Sequence, residues 1–358
     1  MKAKQVLQIY AGKTALALIK REGFNAKMFS AFLGASGGPK WFVLCGLDKV
    51  MFEDFFSDTG QRIDIIGTSA GAFRASCFAQ KDSKAAIERL AYGYSTTIYS
   101  KQPKPQEVSR KGIELLNSVV DSKGRNEILN NEKRALHIIS SRCHGLVASE
   151  SKFKQLAGLG LASLRNFRAR SMLSKSFSRS IFYSGIDRLD FTDQDKIQSE
   201  YIKLTENNLH EAVMASGSIP LVMEGVSDIN HAPRGVYRDG GIIDYHFDIR
   251  INTRGLVLYP HFATTPIPGW FDKGIRSRTC KAQSYDNVVM LAPTDEFVAS
   301  LPYGKIPDRR DFTEMDSEQR IPYWQRVIAE SERLAEDFFE QIENDNVANF
   351  VQAIRLKR

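Results

Sequence analysis

Cysteine is scarce in this chain: four in 358 residues, Cys45, Cys77, Cys143 and Cys280, with no CxxC pair among them. Cysteines placed singly make neither a disulfide framework nor a zinc site. They read as free thiols of a reducing compartment, and the cytoplasm is the expected location. Nowhere do 18 apolar residues run together, which argues against a membrane-crossing helix. The first residues carry Lys2 and Lys4, then an apolar stretch interrupted by Lys13, with no small-residue cleavage site close behind, so no leader peptide is read there. Internal repeats and low-complexity tracts are missing too. So are HExxH, an acidic calcium loop and a G-x-G-x-x-G behind a strand, and neither a metal nor a cofactor is expected.

What is present describes a soluble globular chain. Hydrophobic residues make up 42% and charged residues 25%, proportions that exclude a disordered, collagen-like or disulfide-stapled protein. The length gives one large domain or two small ones, with interior enough for a sizeable core. The net charge of +7 is unevenly spread: residues 101–190 carry 17 Lys+Arg against 8 Asp+Glu, and residues 311–345 carry 3 against 11. A basic middle fits an anionic partner (nucleic acid, a membrane surface or a phosphorylated substrate), or it is a solvated face with none.

Apolar spacing outlines the elements. Val6–Tyr10 and Ala15–Ile19, parted by Gly12, read as a hairpin. Phe29–Leu33 reads as a strand running into a glycine-rich loop. A helix follows from Lys40 to about Phe56, with Pro39 suited to its first position. Ile63–Ile66 is the next strand, with a helix from Ala72 to about Gln80 behind it. Two strand–turn–helix units in succession predict a parallel sheet with helices on its faces. Leu136–Ser140, Ile202–Leu204, Gly255–Tyr259 and Val288–Leu291 read as further strands, and Leu209–Ala215 as a helix. Residues 101–135 and 150–185 read as mostly helical, and Tyr323–Leu356 as a long acidic amphipathic helix or helix pair.

The pattern G-x-S-x-G occurs twice, as Gly34-Ala35-Ser36-Gly37-Gly38 and as Gly67-Thr68-Ser69-Ala70-Gly71. A serine on a tight strand-to-helix turn needs glycines beside it, because a Cβ there would clash. The helix behind it aims its first amides at a developing oxyanion. The same turn also suits phosphate. Ser69 follows directly on an apolar strand and is the better nucleophile. The Ser36 loop, with three glycines and a proline, is suited to exposing backbone N–H groups instead. Gly34 through Lys40 approaches a P-loop, but Pro39 and Trp41 stand where glycine and Ser/Thr are required.

Downstream lie Ala215-Ser216-Gly217-Ser218-Ile219-Pro220 and Asp239-Gly240-Gly241. The order of a glycine-rich loop, G-x-S-x-G about thirty residues on, and a distant Asp-Gly-Gly resembles the patatin-like phospholipase family. Ser36-Gly37-Gly38-Pro39-Lys40 is similar to that family's G-G-G-x-[KR] loop, with Ser36 in place of its first glycine and Trp41 where another glycine is common. Gly67–Gly71 matches its nucleophile elbow and Asp239–Gly241 its D-G-[GA] motif, while Ala215–Pro220 resembles its A-S-x-A-x-P segment. The resemblance spans roughly residues 29–247. It implies an α/β chain with a three-layer α/β/α fold and a mostly parallel central sheet. On that reading residues 1–358 form one domain. Its core is about 25–265, with a helical basic insertion at about 101–200 and a C-terminal helical extension at about 266–358.

The resemblance also implies a Ser–Asp dyad without histidine. Ser69 would attack an ester carbonyl, Asp239 would take its proton, and amides of Gly37 and Gly38 would hold the oxyanion, with Gly240 and Gly241 allowing close approach of the chain. Lys40 would fix the loop or meet a headgroup. A conventional triad would place its histidine last, which leaves His246 and His261 as candidates. The implied activity is hydrolysis of phospholipid or lysophospholipid acyl esters. A transacylase or (thio)esterase on the same dyad, or a low-activity lipid-binding regulator, stands as the alternative.

Between Ser151 and Ile186 there are seven Lys+Arg and no acidic residue. Phe153, Leu156, Ala157, Gly160, Leu164 and Phe167 share one helical face, with Lys154 and Arg165 off it. A basic amphipathic helix of this type lies peripherally on anionic membranes, or it packs with its basic side outward. Aromatic residues are not interleaved as single-strand binders need, so nucleic acid is not an expected partner. The acidic C-terminal stretch could instead neutralise the insertion within the fold.

Overall fold

The computed structural model describes residues 5–57, 59–344 and 347–356. Its strands are β1 (Leu7–Ala11), β2 (Phe29–Gly34), β3 (Ile63–Thr68), β4 (Arg134–Cys143), β5 (Phe177–Tyr183), β6 (Phe191–Thr192), β7 (Ser199–Lys203), β8 (Val226–Ser227), β9 (Val236–Arg238), β10 (Arg250–Ile251), β11 (Leu256–Pro260), β12 (Val288–Pro293) and β13 (Gln352–Ala353). The main sheet runs β13-β1-β12-β11-β2-β3-β4-β5-β7, with β9 joined to β4 and β8 to β9, while β6 and β10 form a separate ribbon. From β12 through β11, β2 and β3 to β4 every pairing is parallel. The antiparallel pairs of the main sheet are β1 with β12, β4 with β5, and those of β9 with β4 and β8; β6 and β10 are antiparallel too. The central strands carry almost unbroken runs of buried Ile, Leu, Val and Phe, as a parallel sheet covered on both faces requires.

The flanking helices are α1 (Lys13–Glu22), α2 (Cys45–Val50), α3 (Ala70–Phe78), α4 (Ser83–Ser95), α5 (Pro105–Val119), α6 (Ser122–Leu129), α7 (Lys152–Arg168), α8 (Leu209–Gly217), α9 (Asp295–Ser300), α10 (Asp311–Glu314), α11 (Ser317–Glu330), α12 (Glu332–Glu343) and α13 (Val347–Phe350). With the sheet they make a three-layer α/β/α arrangement. Among the described residues no helix is long and apolar enough to cross a membrane.

The N-terminal hairpin is a misreading. Ala15–Ile19 lies in α1, where Ala15 and Ile19, four apart, are the buried pair. Five apolar residues in a row fit one helical stripe as well as a strand, and the Ala/Leu content favours the helix. The helix expected from Lys40 to Phe56 is instead a 3₁₀ stretch (Gly38–Leu44), α2, and a π turn (Met51–Phe55). Within 150–185, β5 replaces part of the expected helix. Ser178, Arg179 and Ser180 are buried on a strand covered on both faces, so no alternation marks it. In 323–356 the acidic pair is α11 and α12, and β13 adds to β1 in parallel; residues 345–346 of this stretch lie outside the described residues.

The acidic extension does not neutralise the insertion. Helices α11 and α12 pack on α2, α4, β1 and Gly38–Leu44, whereas α7 packs on Gly145–Ala148, Arg170–Lys175 and Trp270–Asp272. Two of the seven basic residues are internal. Arg170 pairs with Asp195 and Asp272, and Arg179 with Asp193 and Asp244. The apolar face foreseen on α7 exists and points outward: Phe153 is 85% exposed, Leu164 71% and Phe167 71%. Gln155, Gly158, Leu159, Ala162 and Asn166 form the buried face instead.

Candidate active site

Strands β2 and β3 lie side by side and end together, Gly34 opposite Gly67. Each feeds a helical segment, so both G-x-S-x-G turns sit at one end of the sheet. Close packing explains the glycines. A Cβ on Gly71 would fall on the Gly34 carbonyl oxygen, and one on Gly67 on the Gly71 carbonyl oxygen. At Ser69 the backbone takes φ 53° and ψ −127°, a region that side chains rarely enter and that nucleophile elbows impose. The turn is pinned from outside. Ser69 N–H donates to Ser216 Oγ at 2.9 Å, and that hydroxyl donates to the Ile139 carbonyl at 2.6 Å.

Ser69 Oγ donates to Asp239 Oδ2 at 2.8 Å. The other carboxylate oxygen, Oδ1, accepts from Gly241 N–H at 2.7 Å. Asp239 follows β9, and its own N–H donates to the Ser218 carbonyl. Gly240 is obligatory here, since a Cβ would fall on the Ile139 carbonyl oxygen. Desolvation pushes the Asp239 carboxyl above the ordinary carboxylate range; Arg309, the Ser69 and Gly241 hydrogen bonds and Lys273 pull the other way.

The Ser36 loop is built differently. Ser36 Oγ is buried and tied to Thr68, 2.6 Å from its Oγ1 and 3.1 Å from its carbonyl. Gly37 and Gly38 have φ values of 154° and 58°. As residues opening a helical stretch, their amides have no intrahelical acceptor, and among the described residues no other backbone carbonyl takes them. A Cβ on Gly37 would lie 2.6 Å from the Phe262 ring and one on Gly38 2.8 Å from Arg309 Nε. Lys40 Nζ stands 5.3 Å from the Phe262 ring centre, and desolvation lowers its pKa.

His246 and His261 meet edge to face, ring centres 4.2 Å apart, and both pack on the Phe262 ring that borders this loop. Both are buried, His246 Nδ1 accepts from Ile267 N–H, and desolvation holds His261 down to about 3. The partner of Ser69 is Asp239. All four cysteines are buried and free, and burial pushes their thiols up. Among the described residues no group of three or more His, Cys, Asp or Glu converges as metal ligands would.

A cavity of ≈ 320 Å³ opens beside Ser69 and Gly38, walled by Trp41, Phe73, Leu90, Tyr94, Val108, Leu115, Ile219, Met223 and Phe312. That size and apolar lining match small-molecule pockets. A roomier depression, ≈ 540 Å³, surrounds Arg250, Asn252 and Gln283 but contains neither Ser69 nor Asp239.

Several supports were not singled out from sequence. Asp48 of α2 and Arg74 of α3 are fully buried and joined by two hydrogen bonds, of 2.7 and 2.6 Å. They lock the helix behind Ser69 to the segment behind the glycine loop. Arg179 holds Asp244, just past Gly241, at 2.6 and 2.9 Å. Neither pair has a sequence motif. Arg309 and Lys273 are likewise brought in by the fold alone.

The patatin-like phospholipase family model matches residues 35–246, from the glycine loop to just past Asp-Gly-Gly. The chain belongs to this family. Among solved structures it is similar to human GIVD cytosolic phospholipase A2, at 12% identity and a TM-score of 0.36 over 94% of this chain and 62% of that one. It is also similar to VipD from Legionella pneumophila, at 13% identity and 0.29 over 73% and 54%. The chain thus spans less than two thirds of either structure's length. No curated protein sequence matches it.

Proposed function

We propose that the chain hydrolyses acyl esters of phospholipids or lysophospholipids through a Ser69–Asp239 dyad. The observation that carries this reading is the 2.8 Å hydrogen bond from Ser69 Oγ to Asp239 at the mouth of an apolar cavity. The acyl chain occupies that cavity. Ser69 Oγ attacks the ester carbonyl as its proton passes to Asp239 Oδ2, and the amides of Gly37 and Gly38 take up the negative charge on the carbonyl oxygen. Collapse breaks the bond to the leaving alcohol, which receives the proton from Asp239. Water then attacks the acyl-enzyme, Asp239 takes a proton from it, and Ser69 regains its hydrogen as the fatty acid leaves. An ordinary carboxylate is a weak base toward serine; the raised Asp239 pKa improves the match.

The substrate lies in a lipid surface, and α7 supplies the contact. Its exposed Phe153, Leu164 and Phe167 lie among exposed Lys152, Lys154, Arg168 and Lys175, the composition that seats a helix on anionic lipid. Helix α7 also packs on the turn Trp270–Asp272, and Trp270 lines the recess at Ser69.

Fluorophosphonate labelling of wild type, Ser69→Ala, Ser36→Ala and Asp239→Asn, followed by fatty-acid release from mixed phospholipid vesicles, tests the chemistry. Labelling lost only in Ser69→Ala, with release lost also in Asp239→Asn, is the expected result. Labelling lost in Ser36→Ala alone would exchange the roles of the two turns. No labelling of folded wild type would leave a lipid-binding protein without this chemistry.

A further inference from the structure

Two cations, Lys273 and Arg309, stand at the dyad. They line, with Ser69, Asp239 and Gly241, a second recess of ≈ 20 Å³ that shares Ser69, Ile219 and Arg309 with the apolar cavity. Arg309 lines the apolar cavity as well, so it stands where the two spaces meet. Among the described residues neither makes an ion pair within 4.0 Å, because the acids beside them in sequence are taken. Asp272 is held by Arg170 and Arg278, and Asp308 by Arg310. Asp239 itself already accepts from Ser69 and Gly241.

Both positions are built rather than loose. Lys273 follows the turn Trp270–Asp272, and although the residue is exposed overall, its Nζ lies 3.7 Å from the centre of the Tyr245 ring. Arg309 sits in a loop fixed by buried Asp311, which accepts from the Asp308 N–H at 2.9 Å, from Lys305 Nζ at 2.5 Å and from Trp324 Nε1 at 3.0 Å. The Arg309 Nε presses on Gly38, 2.8 Å from where a Cβ would be. The two like charges also oppose each other: desolvation first, then Arg309, lowers the Lys273 ammonium. Two cations held beside the single carboxylate of Asp239 leave an excess of positive charge that an anion relieves, and a guanidinium beside an ammonium matches phosphate oxygens.

We propose that Arg309 and Lys273 form a phosphate subsite that selects esters whose leaving alcohol carries a phosphate. This rests on the dyad reading above and names the substrate within it. The recess holds little more than a water or a leaving oxygen, so the phosphate lies at its mouth, where Arg309 and Lys273 line it. Both residues follow residue 246, where the family match ends.

The test compares kcat/KM on 1-acylglycerol 3-phosphate and on the monoacylglycerol of the same chain, for wild type, Arg309→Gln, Arg309→Lys and Lys273→Gln. Calorimetric binding of glycerol 3-phosphate and of inorganic phosphate reads the subsite without turnover. Each Gln variant is expected to lower the ratio of the two kcat/KM values about tenfold, with Arg309→Lys falling between, and to weaken glycerol 3-phosphate in parallel. If inorganic phosphate binds as tightly as glycerol 3-phosphate, depends equally on both residues, and the ester ratio does not move, the subsite takes free phosphate rather than a headgroup. If both esters fall together and neither ligand's affinity depends on these residues, they serve only the charge of Asp239 and the proposal is overturned. Residue-dependent binding in a protein that fluorophosphonate does not label would sink the dyad reading and leave the subsite standing.

Discussion

Ser69 is held where its backbone costs free energy, and Asp239 lies where burial disfavours its charged form; both effects are measurable. Glycine accepts the Ser69 conformation and alanine does not. Ser69→Gly and Ser69→Ala lose the same hydrogen bond and the same activity, so their difference isolates the strain. Ser69→Gly should be the more stable by about 1–2 kcal/mol in urea denaturation. As the proposed base, Asp239 works only when ionised, and burial raises its pKa. Activity on a neutral ester should therefore fall as pH drops through a value above the ordinary carboxylate range. Removing a nearby positive charge, as in Lys273→Gln, raises that pKa further and moves the acid limb of the kcat/KM profile to higher pH; a downward move would contradict the assignment of Asp239 as base. The motif residues were legible because each carries its own backbone demand: Gly67, Gly71 and Gly240 are glycines for want of room. Arg309 and Lys273 were not, because a long side chain in a loop declares nothing about where its far end lies.

At the scale of elements, the buried Asp48–Arg74 pair sets how α3 sits behind the glycine loop. Arg74→Met should cost about 3–5 kcal/mol, because Asp48 is left charged and unpaired. Asp48→Leu combined with Arg74→Met should regain most of this in denaturant midpoint, yet lower kcat if the pair aligns the two turns. Helix α7 is the opposite case, an element whose apolar stripe is left uncovered by the described residues. Phe153→Ser, Leu164→Ser and Phe167→Ser together should abolish co-sedimentation with anionic vesicles while leaving Tm within about a degree or two, since exposed positions contribute little to stability. A large drop in Tm would mean that the stripe is packed. Periodicity gave α7 its apolar face correctly but not its direction. A stripe of Phe and Leu looks the same whether it faces a core or a bilayer, and only the competing stripe of Gln155, Leu159, Ala162 and Asn166 decides. The hairpin failed for a related reason, five apolar residues being too few to separate a period of two from one of 3.6.

For the whole molecule, the charge is sorted by position. Acidic residues of the C-terminal helices serve the fold; Asp337, for instance, accepts from the amides of Val6 and Leu7 at 2.6 and 2.8 Å. Part of the positive charge of the middle remains at the surface around α7. Vesicle binding should accordingly weaken as salt is raised from 0.15 M toward 1 M, where the screening length shrinks from about 8 to about 3 Å. Insensitivity to salt would leave only the apolar stripe as the contact. The sheet has a further consequence, for synthesis. Strand β2 has β3 on one side, made within the next 34 residues, but its other neighbour is β11, Leu256–Pro260, more than two hundred residues later. At the usual pace of a ribosome the bare edge of the strand that leads into the glycine loop waits roughly 10–40 s for its cover. Until then a growing chain carries its serine turn on an open, apolar sheet edge, the kind of edge that pairs with other chains.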